Sequence, residues 1–312
     1  MKIVLHYAAG PGLAARLAAF AADGLDIAIR ADDAGVAEAL RDAEVLWHVL
    51  TPCTAAMIAG APNLRLIQKI GSGVNTIDLQ AAKARGIAVC NLPGTNAPAV
   101  AEMTLLLMLA ALRRLALLDR ATRDGTGWRL EPALQDHFRE LGGRVVGLVG
   151  YGAVPQALAP ILRAMGCRLL YTARSPKPEA LGDWRALPDL LNQADIVSLH
   201  VPLTPSTEKL VDAAALGLMK PGAVLVNTAR GGLVDQAALT AALASGRLGA
   251  AGLDVFAHEP ADAADPLFRL DNVVVAPHVA WLTTGTFDRS FVLAAENCQR
   301  LRDGWPLLHR VQ

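Results

Sequence analysis

Three segments of this chain close an apolar run with a polar residue able to handle a proton or an anion. Val224-Leu225-Val226-Asn227-Thr228-Ala229-Arg230-Gly231-Gly232 brings Arg230 beside two glycines. Gly252-Leu253-Asp254-Val255-Phe256-Ala257-His258-Glu259-Pro260 brings Glu259, and Val273-Val274-Val275-Ala276-Pro277-His278-Val279-Ala280-Trp281 brings His278. An imidazole exchanges protons near neutral pH, and a neighbouring carboxylate raises its pKa and fixes the ring. A guanidinium clamps a carboxylate through two parallel hydrogen bonds. Combined, the three residues suit acid–base chemistry on a small carboxylate. Taken singly, each has a plainer reading, since Arg and Glu at strand ends often just pair with each other. Among the seven histidines, His6 and His48 fall within or near expected strands, and His137 and His309 lie in polar, surface-like stretches. His200 follows a strand and lines a pocket at most. His258 adjoins Glu259 and is the real competitor of His278, but an Ala-Pro-His at a strand end is better fixed than a histidine in mid-loop.

Positioning these residues requires strands that end together. Short Val/Ile-rich runs alternate with Ala/Leu helical patterns along most of the chain, which implies βαβ units and a parallel sheet with helices on both faces. Strands are expected at Lys2–Tyr7, Asp26–Arg30, Glu44–Val49, Leu64–Lys69 and Ile87–Cys90, with helices at Gly12–Ala22 and Asp78–Arg85. One long helix is expected from about Pro98 to Arg123, ended by Gly125-Thr126-Gly127, with proline tolerated in its first turn. A second series follows at Val145–Val149, Cys167–Tyr171, Asp195–Leu199, Ala223–Asn227, Ala250–Asp254 and Val273–Ala276. Six strands in a row complete a dinucleotide-binding sheet, whose ligands sit outside the carboxyl ends of the strands. The stretch from Trp281 to Gln312 reads as helix with no strand of its own, to be packed back onto the first domain.

The sharpest local motif is Val145-Val146-Gly147-Leu148-Val149-Gly150-Tyr151-Gly152-Ala153-Val154-Pro155. A strand running into Gly150-x-Gly152 and then a helix lets a pyrophosphate approach free N–H groups at the helix N-terminus. The plain reading is an ordinary strand-to-helix turn. Pro155 stands where the third glycine of the fingerprint belongs, and a proline disfavours helical geometry at Val154. The expectation is therefore a helix that starts late or sits further from its strand. About 20 residues past the fingerprint, where an NAD site places a carboxylate on the ribose, the sequence reads Thr172-Ala173-Arg174-Ser175-Pro176-Lys177. No acid lies between Leu169 and Pro178, and Arg174, Ser175 and Lys177 suit a 2′-phosphate, so NADP(H) is expected over NAD, with NAD remaining possible. A solvated loop with chance basic residues is the alternative.

Composition bounds the partners. The chain has 312 residues, 53% of them hydrophobic and 19% charged, and its 29 basic side chains balance 29 acidic ones. That excludes a disordered chain and gives no basic excess for nucleic acid. The length suggests two domains of about 150 residues each. Four separated cysteines, Cys53, Cys90, Cys167 and Cys298, form no metal spacing and read as buried thiols in a reducing compartment. The longest apolar run, Met103–Leu112, stops at Arg113-Arg114 and is too short to span a bilayer. A cytoplasmic protein with no metal, no membrane partner and no nucleic-acid partner is expected.

Taken in order, these segments closely resemble the D-isomer-specific 2-hydroxyacid dehydrogenase family over nearly the whole chain. The resemblance runs from Ile70-Gly71-Ser72-Gly73-Val74-Asn75-Thr76-Ile77-Asp78 to Pro277-His278. Between them lie Asn96-Ala97-Pro98-Ala99-Val100-Ala101-Glu102, Asp195-Ile196-Val197-Ser198-Leu199-His200-Val201-Pro202-Leu203-Thr204 and the Arg230 segment. It implies a catalytic set of Arg230, Glu259 and His278, in which His278 moves the proton, Glu259 bonds its other ring nitrogen and Arg230 binds carboxylate and carbonyl oxygens. It implies substrate contacts from Ser72, Gly73, Val74 and Asn96 besides Arg230 and His278. Cofactor contacts are implied at Gly150, Gly152, Ala153, Val154, Ala173, Arg174, Ser175, Lys177, Thr228, Ala229 and Ala280, near the nicotinamide at Thr104 and Asp254, and on the adenine side at Val201, Pro202 and Thr207. Ala153 replaces an arginine common in the family, a second departure beside Pro155.

The architecture implied is a Rossmann-type α/β cofactor domain, 98–281, inserted into a smaller flavodoxin-like substrate domain, 1–97 and 282–312. The helix after Pro98 and the Gly127-Trp128 arm resemble a dimer interface, so a homodimer is expected. The Tyr171–Arg174 segment and Pro277–Trp281 look like those of NADPH-using glyoxylate and hydroxypyruvate reductases, which implies reduction of a small 2-keto acid. The rivals are an NAD-dependent D-lactate-type or D-3-phosphoglycerate dehydrogenase, and a dinucleotide-sensing, corepressor-like binding protein.

Overall fold

Why the Val/Ile runs become buried parallel strands is visible in the computed structural model, which describes Met1–Gln312 and divides into two units, Met1–Asn96 with Thr283–Gln312 and Ala97–Leu282. In the first, β1 (Lys2–His6), β2 (Asp26–Arg30), β3 (Val45–His48), β4 (Leu66–Lys69) and β5 (Ala88–Cys90) form a parallel sheet in the order β2-β1-β3-β4-β5. That is the flavodoxin-like order. Ile3, Leu5, Leu46, Trp47, Leu66 and Ile67 are fully buried, since helices cover both faces, and each such side chain contributes roughly 1.5–3 kcal/mol by leaving water. Asp32, Thr54 and Asp78 start the intervening helices by accepting the N–H groups of Gly35, Met57 and Ala81.

The carboxyl-terminal stretch is not helical throughout. A helix covers Thr284–Asp303, capped by Thr283 and closed at Gly304, whose φ of 73° is the left-handed conformation that glycine adopts without strain. Its buried Phe291 stacks on Trp47 with ring centroids 5.3 Å apart. Beyond it the chain runs antiparallel beside β5, where Val311 N–H donates to Val89 O (2.8 Å), and so covers an otherwise unpaired sheet edge.

In the second unit, β6 (Val145–Val149), β7 (Arg168–Thr172), β8 (Asp183–Trp184), β9 (Ile196–Leu199), β10 (Val224–Asn227), β11 (Ala250–Leu253) and β12 (Val273–Val275) pair in parallel. Their order is β12-β11-β10-β9-β6-β7-β8. The strand order reverses at β6, between β7 and β9, which makes the doubly wound, Rossmann-type arrangement with its crevice at that switch point. Seven strands stand where six were expected. The addition, β8, holds two residues at the sheet edge and has no apolar run to announce it.

The expected long helix is in fact two, Ala97–Leu112 and Leu115–Arg123. Arg114 separates them at φ 53°, so the buried first helix gives way to a second with no buried residue. The helix after the glycine motif starts at Ala153, not later as the proline suggested. Pro155 is its third residue, where an N–H has no helical acceptor to lose and the ring meets no helical carbonyl behind it. No helix in the chain is long and apolar enough to cross a membrane.

Candidate active site

Each of the three reactive side chains follows a strand of the seven-stranded sheet, on the side where such sheets bind ligands. β10 ends at Asn227, which is fully buried and holds the next turn in two places. Its Nδ2 donates to Arg230 O (2.9 Å), and its Oδ1 accepts Ala229 N–H (3.0 Å). Gly231 follows because nothing larger fits. A Cβ there would lie 1.9 Å from the carbonyl carbon and oxygen of Phe256, so the Arg230 turn touches the Glu259 loop backbone to backbone.

Within that second loop, Glu259 Oε1 accepts Phe256 N–H (2.9 Å) and Oε2 lies 2.6 Å from Nδ1 of His278. A carboxylate only accepts, so Nδ1 carries the shared proton and Nε2 remains open to a reacting oxygen. Burial alone would raise the Glu259 carboxyl. His278, the Phe256 N–H and the charge of Arg230 outweigh it and hold Glu259 below its ordinary range. Arg230 is half-buried, and burial lowers its pKa against the opposing pull of Glu259. His258 is exposed and makes no hydrogen bond to Glu259, which removes the competitor of His278.

His278 has a φ of 56°, a conformation costing a non-glycine residue on the order of 1 kcal/mol or more. Its neighbours impose that geometry. His278 N–H donates to Asp254 O (2.7 Å), and the two oxygens of the Asp254 carboxylate accept Val279 N–H (2.8 Å) and Ala280 N–H (2.9 Å). Trp281 Nε1 donates to His278 O (3.0 Å). Here burial wins over the two N–H donors, and the Asp254 carboxyl is raised above its ordinary value. Asp254 in turn donates its own N–H to Asn227 O (3.0 Å). Asn227, Gly231 and Trp281 were not singled out from sequence. Asn227 and Trp281 act on backbone atoms of their own turns and Gly231 on the backbone of Phe256, and only the Asn-Thr-Ala-Arg-Gly run hinted at the first.

The glycine motif has the shape a pyrophosphate needs. Gly150 sits at φ 98°, with a hypothetical Cβ only 2.7 Å from His200 O, whereas a Cβ on Gly152 would meet nothing within 4 Å. The closed side packs the turn onto β9, and the open side exposes the helix start at Ala153 and Val154. His200 Nε2 lies 2.9 Å from Ser198 Oγ, and burial lowers the ring to a pKa of about 3, so it stays neutral. Thr104 and Thr228 share a 2.9 Å hydrogen bond. Thr207 Oγ1 donates to Pro202 O (2.7 Å) and closes the turn after Val201. Past β7, Arg174 and Ser175 are exposed, whereas Lys177 stands 3.7 Å from Glu179, an acid just beyond the acid-free interval. Arg174 is therefore the stronger phosphate candidate of the two.

In the other unit, Gly71 adopts φ 142°, and Asn91 Nδ2 donates to Ser72 O (2.8 Å). The N–H groups of Ser72, Gly73 and Val74 donate to no other backbone group. Such a run of free donors suits an anion.

Residues 105–280 match the family model described as D-isomer specific 2-hydroxyacid dehydrogenase, NAD binding domain. The chain is 40% identical over 272 residues to the glyoxylate reductase of Aeropyrum pernix, a match covering 85% of this chain and 81% of that protein. The chain belongs to the D-isomer-specific 2-hydroxyacid dehydrogenase family. It is also 40% identical over 232 residues to the hydroxypyruvate reductase of Thermotoga maritima, covering 73% of this chain and 74% of that one. A match at 39% to the D-3-phosphoglycerate dehydrogenase of Mycobacterium bovis spans 81% of this chain but only 48% of that longer protein. Among solved structures, the TT0316 protein of Thermus thermophilus superposes with a TM-score of 0.89 at 35% identity, covering 100% of both chains.

As a 2-hydroxyacid dehydrogenase of this family, the protein is an oxidoreductase with an NAD(P)-binding Rossmann domain. The open Gly152 and the free helix start fit that dinucleotide.

Proposed function

We propose that this 2-hydroxyacid dehydrogenase reduces a small 2-keto acid, glyoxylate or hydroxypyruvate, with NADPH as the preferred cofactor. The observation that carries the reading is the 2.6 Å contact of His278 Nδ1 with Glu259, which orients Nε2 as a proton donor beside the Arg230 turn. When bound, the nicotinamide supplies the hydride. His278 gives its Nε2 proton to the carbonyl oxygen as charge develops there; Glu259 stabilises the imidazolium before transfer and keeps the remaining proton on Nδ1 of the neutral ring afterwards. Arg230 holds the carboxylate and carbonyl oxygens. In the amino-terminal unit, the N–H groups of Ser72, Gly73 and Val74 are assigned to carboxylate binding, with Asn96 nearby.

For the cofactor we assign the pyrophosphate to Gly150, Gly152, Ala153 and Val154, and the adenine side to Val201, Pro202 and Thr207. The 2′-phosphate falls to Ala173, Arg174, Ser175 and Lys177. Thr104, Thr228, Ala229, Asp254 and Ala280 are assigned to the nicotinamide side. Residues 98–281 form the cofactor domain and 1–97 with 282–312 the substrate domain. The glyoxylate and hydroxypyruvate reductases among the relatives support the substrate class, and the Arg174 loop supports NADPH. Phosphoglycerate dehydrogenases among the relatives keep D-3-phosphoglycerate oxidation as the second reading.

We further infer a homodimer formed through the helices 97–123 and the following arm, where Leu106, Leu115 and the 86%-exposed Trp128 leave apolar surface in water. Four free, buried thiols suit a cytoplasmic enzyme. The deciding experiment is a panel of 2-keto acids with NADPH and NADH. The reading requires kcat/KM for glyoxylate or hydroxypyruvate to be highest with NADPH, and Arg174→Asp to reverse the cofactor preference. Wild-type preference for NADH sinks the cofactor assignment. Absence of turnover with every keto acid sinks the reductase reading.

A further inference from the structure

The segment between β7 and β8 carries Ala173, Arg174, Ser175 and Lys177, the residues assigned above to the ribose 2′ position. Arg174 is exposed, yet three aromatic side chains hold the segment along its length. At its start, Trp184 on the edge strand β8 donates its Nε1–H to Ala173 O (3.1 Å). In its middle, Tyr171 Oη accepts Lys177 N–H (2.6 Å). Near its end, Tyr151 Oη accepts Leu181 N–H (2.9 Å). A Cβ on the next residue, Gly182, would lie 2.7 Å from Leu169 O, so the backbone there is pressed against β7.

Tyr151 is the residue between the two glycines of the Gly150-x-Gly152 turn. Its ring is buried and packs against that of Tyr171, with centroids 4.8 Å apart. The turn assigned to the pyrophosphate and the loop assigned to the 2′ position are therefore joined through one side chain. For packing alone a phenylalanine would serve at 151 and at 171. What each hydroxyl adds is a backbone partner in the loop. An arginine on a free loop spends part of its binding energy on ordering that loop, whereas one on a held loop does not. A dinucleotide with a 2′-phosphate gains most from this, because only the phosphate takes paired hydrogen bonds from the guanidinium.

We propose that Tyr151 and Trp184 are positioning residues for cofactor discrimination. By holding the two ends of segment 173–182, they set where Arg174 stands relative to the pyrophosphate turn. The proposal rests on the assignment of this segment to the 2′ position, and not on which dinucleotide the wild-type enzyme prefers.

Titration of the full-length enzyme with NADPH and with NADH, read by nicotinamide fluorescence, tests it. The proteins compared are wild type, Tyr151→Phe, Trp184→Phe and each of these combined with Arg174→Ala. The dissociation constant for NADPH is expected to rise about three- to tenfold in each single variant, the worth of one hydrogen bond, while that for NADH stays within about twofold. In the Arg174→Ala background the same substitutions should move neither constant by more than about twofold, an outcome that a general loosening of the fold does not give. Trp184 is exposed, so its variant tests the loop without touching the core. An unchanged ratio of the two constants in both single variants, an equal loss for both cofactors, or an undiminished loss in the Arg174→Ala background overturns the proposal. Wild-type preference for NADH defeats the NADPH reading alone, and the change of the ratio decides the positioning role in either case.

Discussion

Glu259 holds His278 through one carboxylate oxygen, at 2.6 Å, and its own loop through the other, by way of Phe256 N–H. The pair therefore fixes ring orientation and supplies charge at once. Glu259→Gln keeps an acceptor for Nδ1 but removes the carboxylate charge beside the ring. Steady-state reduction rates should fall about 10- to 100-fold, part of the roughly 10²–10⁴-fold that a positioned acid contributes. His278→Ala should abolish turnover while leaving cofactor binding, read by nicotinamide fluorescence, within about twofold. Retained turnover in His278→Ala would falsify the acid–base assignment.

The Asp254 carboxylate accepts two consecutive N–H groups just past His278. In Asp254→Asn one of these donors faces an amide NH2, and a buried unsatisfied pair costs about 1–3 kcal/mol. The expected outcome is a kcat reduced tenfold or more, with the far-ultraviolet circular dichroism unchanged. An unaltered kcat would show that the loop holds its geometry without this carboxylate.

Gly231→Ala tests the backbone contact with Phe256. The clash at 1.9 Å is with backbone, so no rotamer change relieves it. Overpacking of this kind costs about 1–3 kcal/mol or more. We expect a lower melting midpoint together with loss of activity, because the displaced segment carries Glu259. A midpoint within one degree or so of wild type would contradict the described contact.

Histidines held neutral in the fold contribute to the loss of stability in acid. Burial, reinforced by Lys69, lowers His48 to about 3, and burial lowers His200 to about 3. Between 6.5, the ordinary value, and about 3 the unfolded chain binds a proton that the folded one refuses. Stability is therefore unaffected by these groups above pH 6.5 and declines as pH falls through that window, by up to about 1.4 kcal/mol per pH unit for each. Denaturant titrations from pH 7 to 4 should show the decline, and His48→Gln should flatten it for the five-stranded unit. A slope identical in the variant would exclude His48 as a source.

Much of this architecture is legible in the sequence, since buried parallel strands must be continuous Val/Ile runs and their order of appearance implies two βα series. The glycine turn after β6 and the residues Arg230, Glu259 and His278 are equally visible, because reactive groups after apolar strands stand out. What escaped has a common cause. The break at Arg114, the edge strand Asp183–Trp184 and the pairing of Val311 with β5 carry no periodicity of their own. Asn227, too, reads as an ordinary turn former until its two backbone partners are known. Pro155 misled in the other direction, because the preference against helical geometry before a proline is overridden at Val154, which lies in the helix from Ala153.

A hydrogen-bonded chain runs from Arg230 through Asn227 and Asp254 to His278. These residues brace three loops against one another at the root of the sheet, so none of them can drift alone. Heat inactivation and melting of the seven-stranded sheet should therefore coincide, with no loosened but folded species between them. The same bracing leaves little room for evolutionary change on this side.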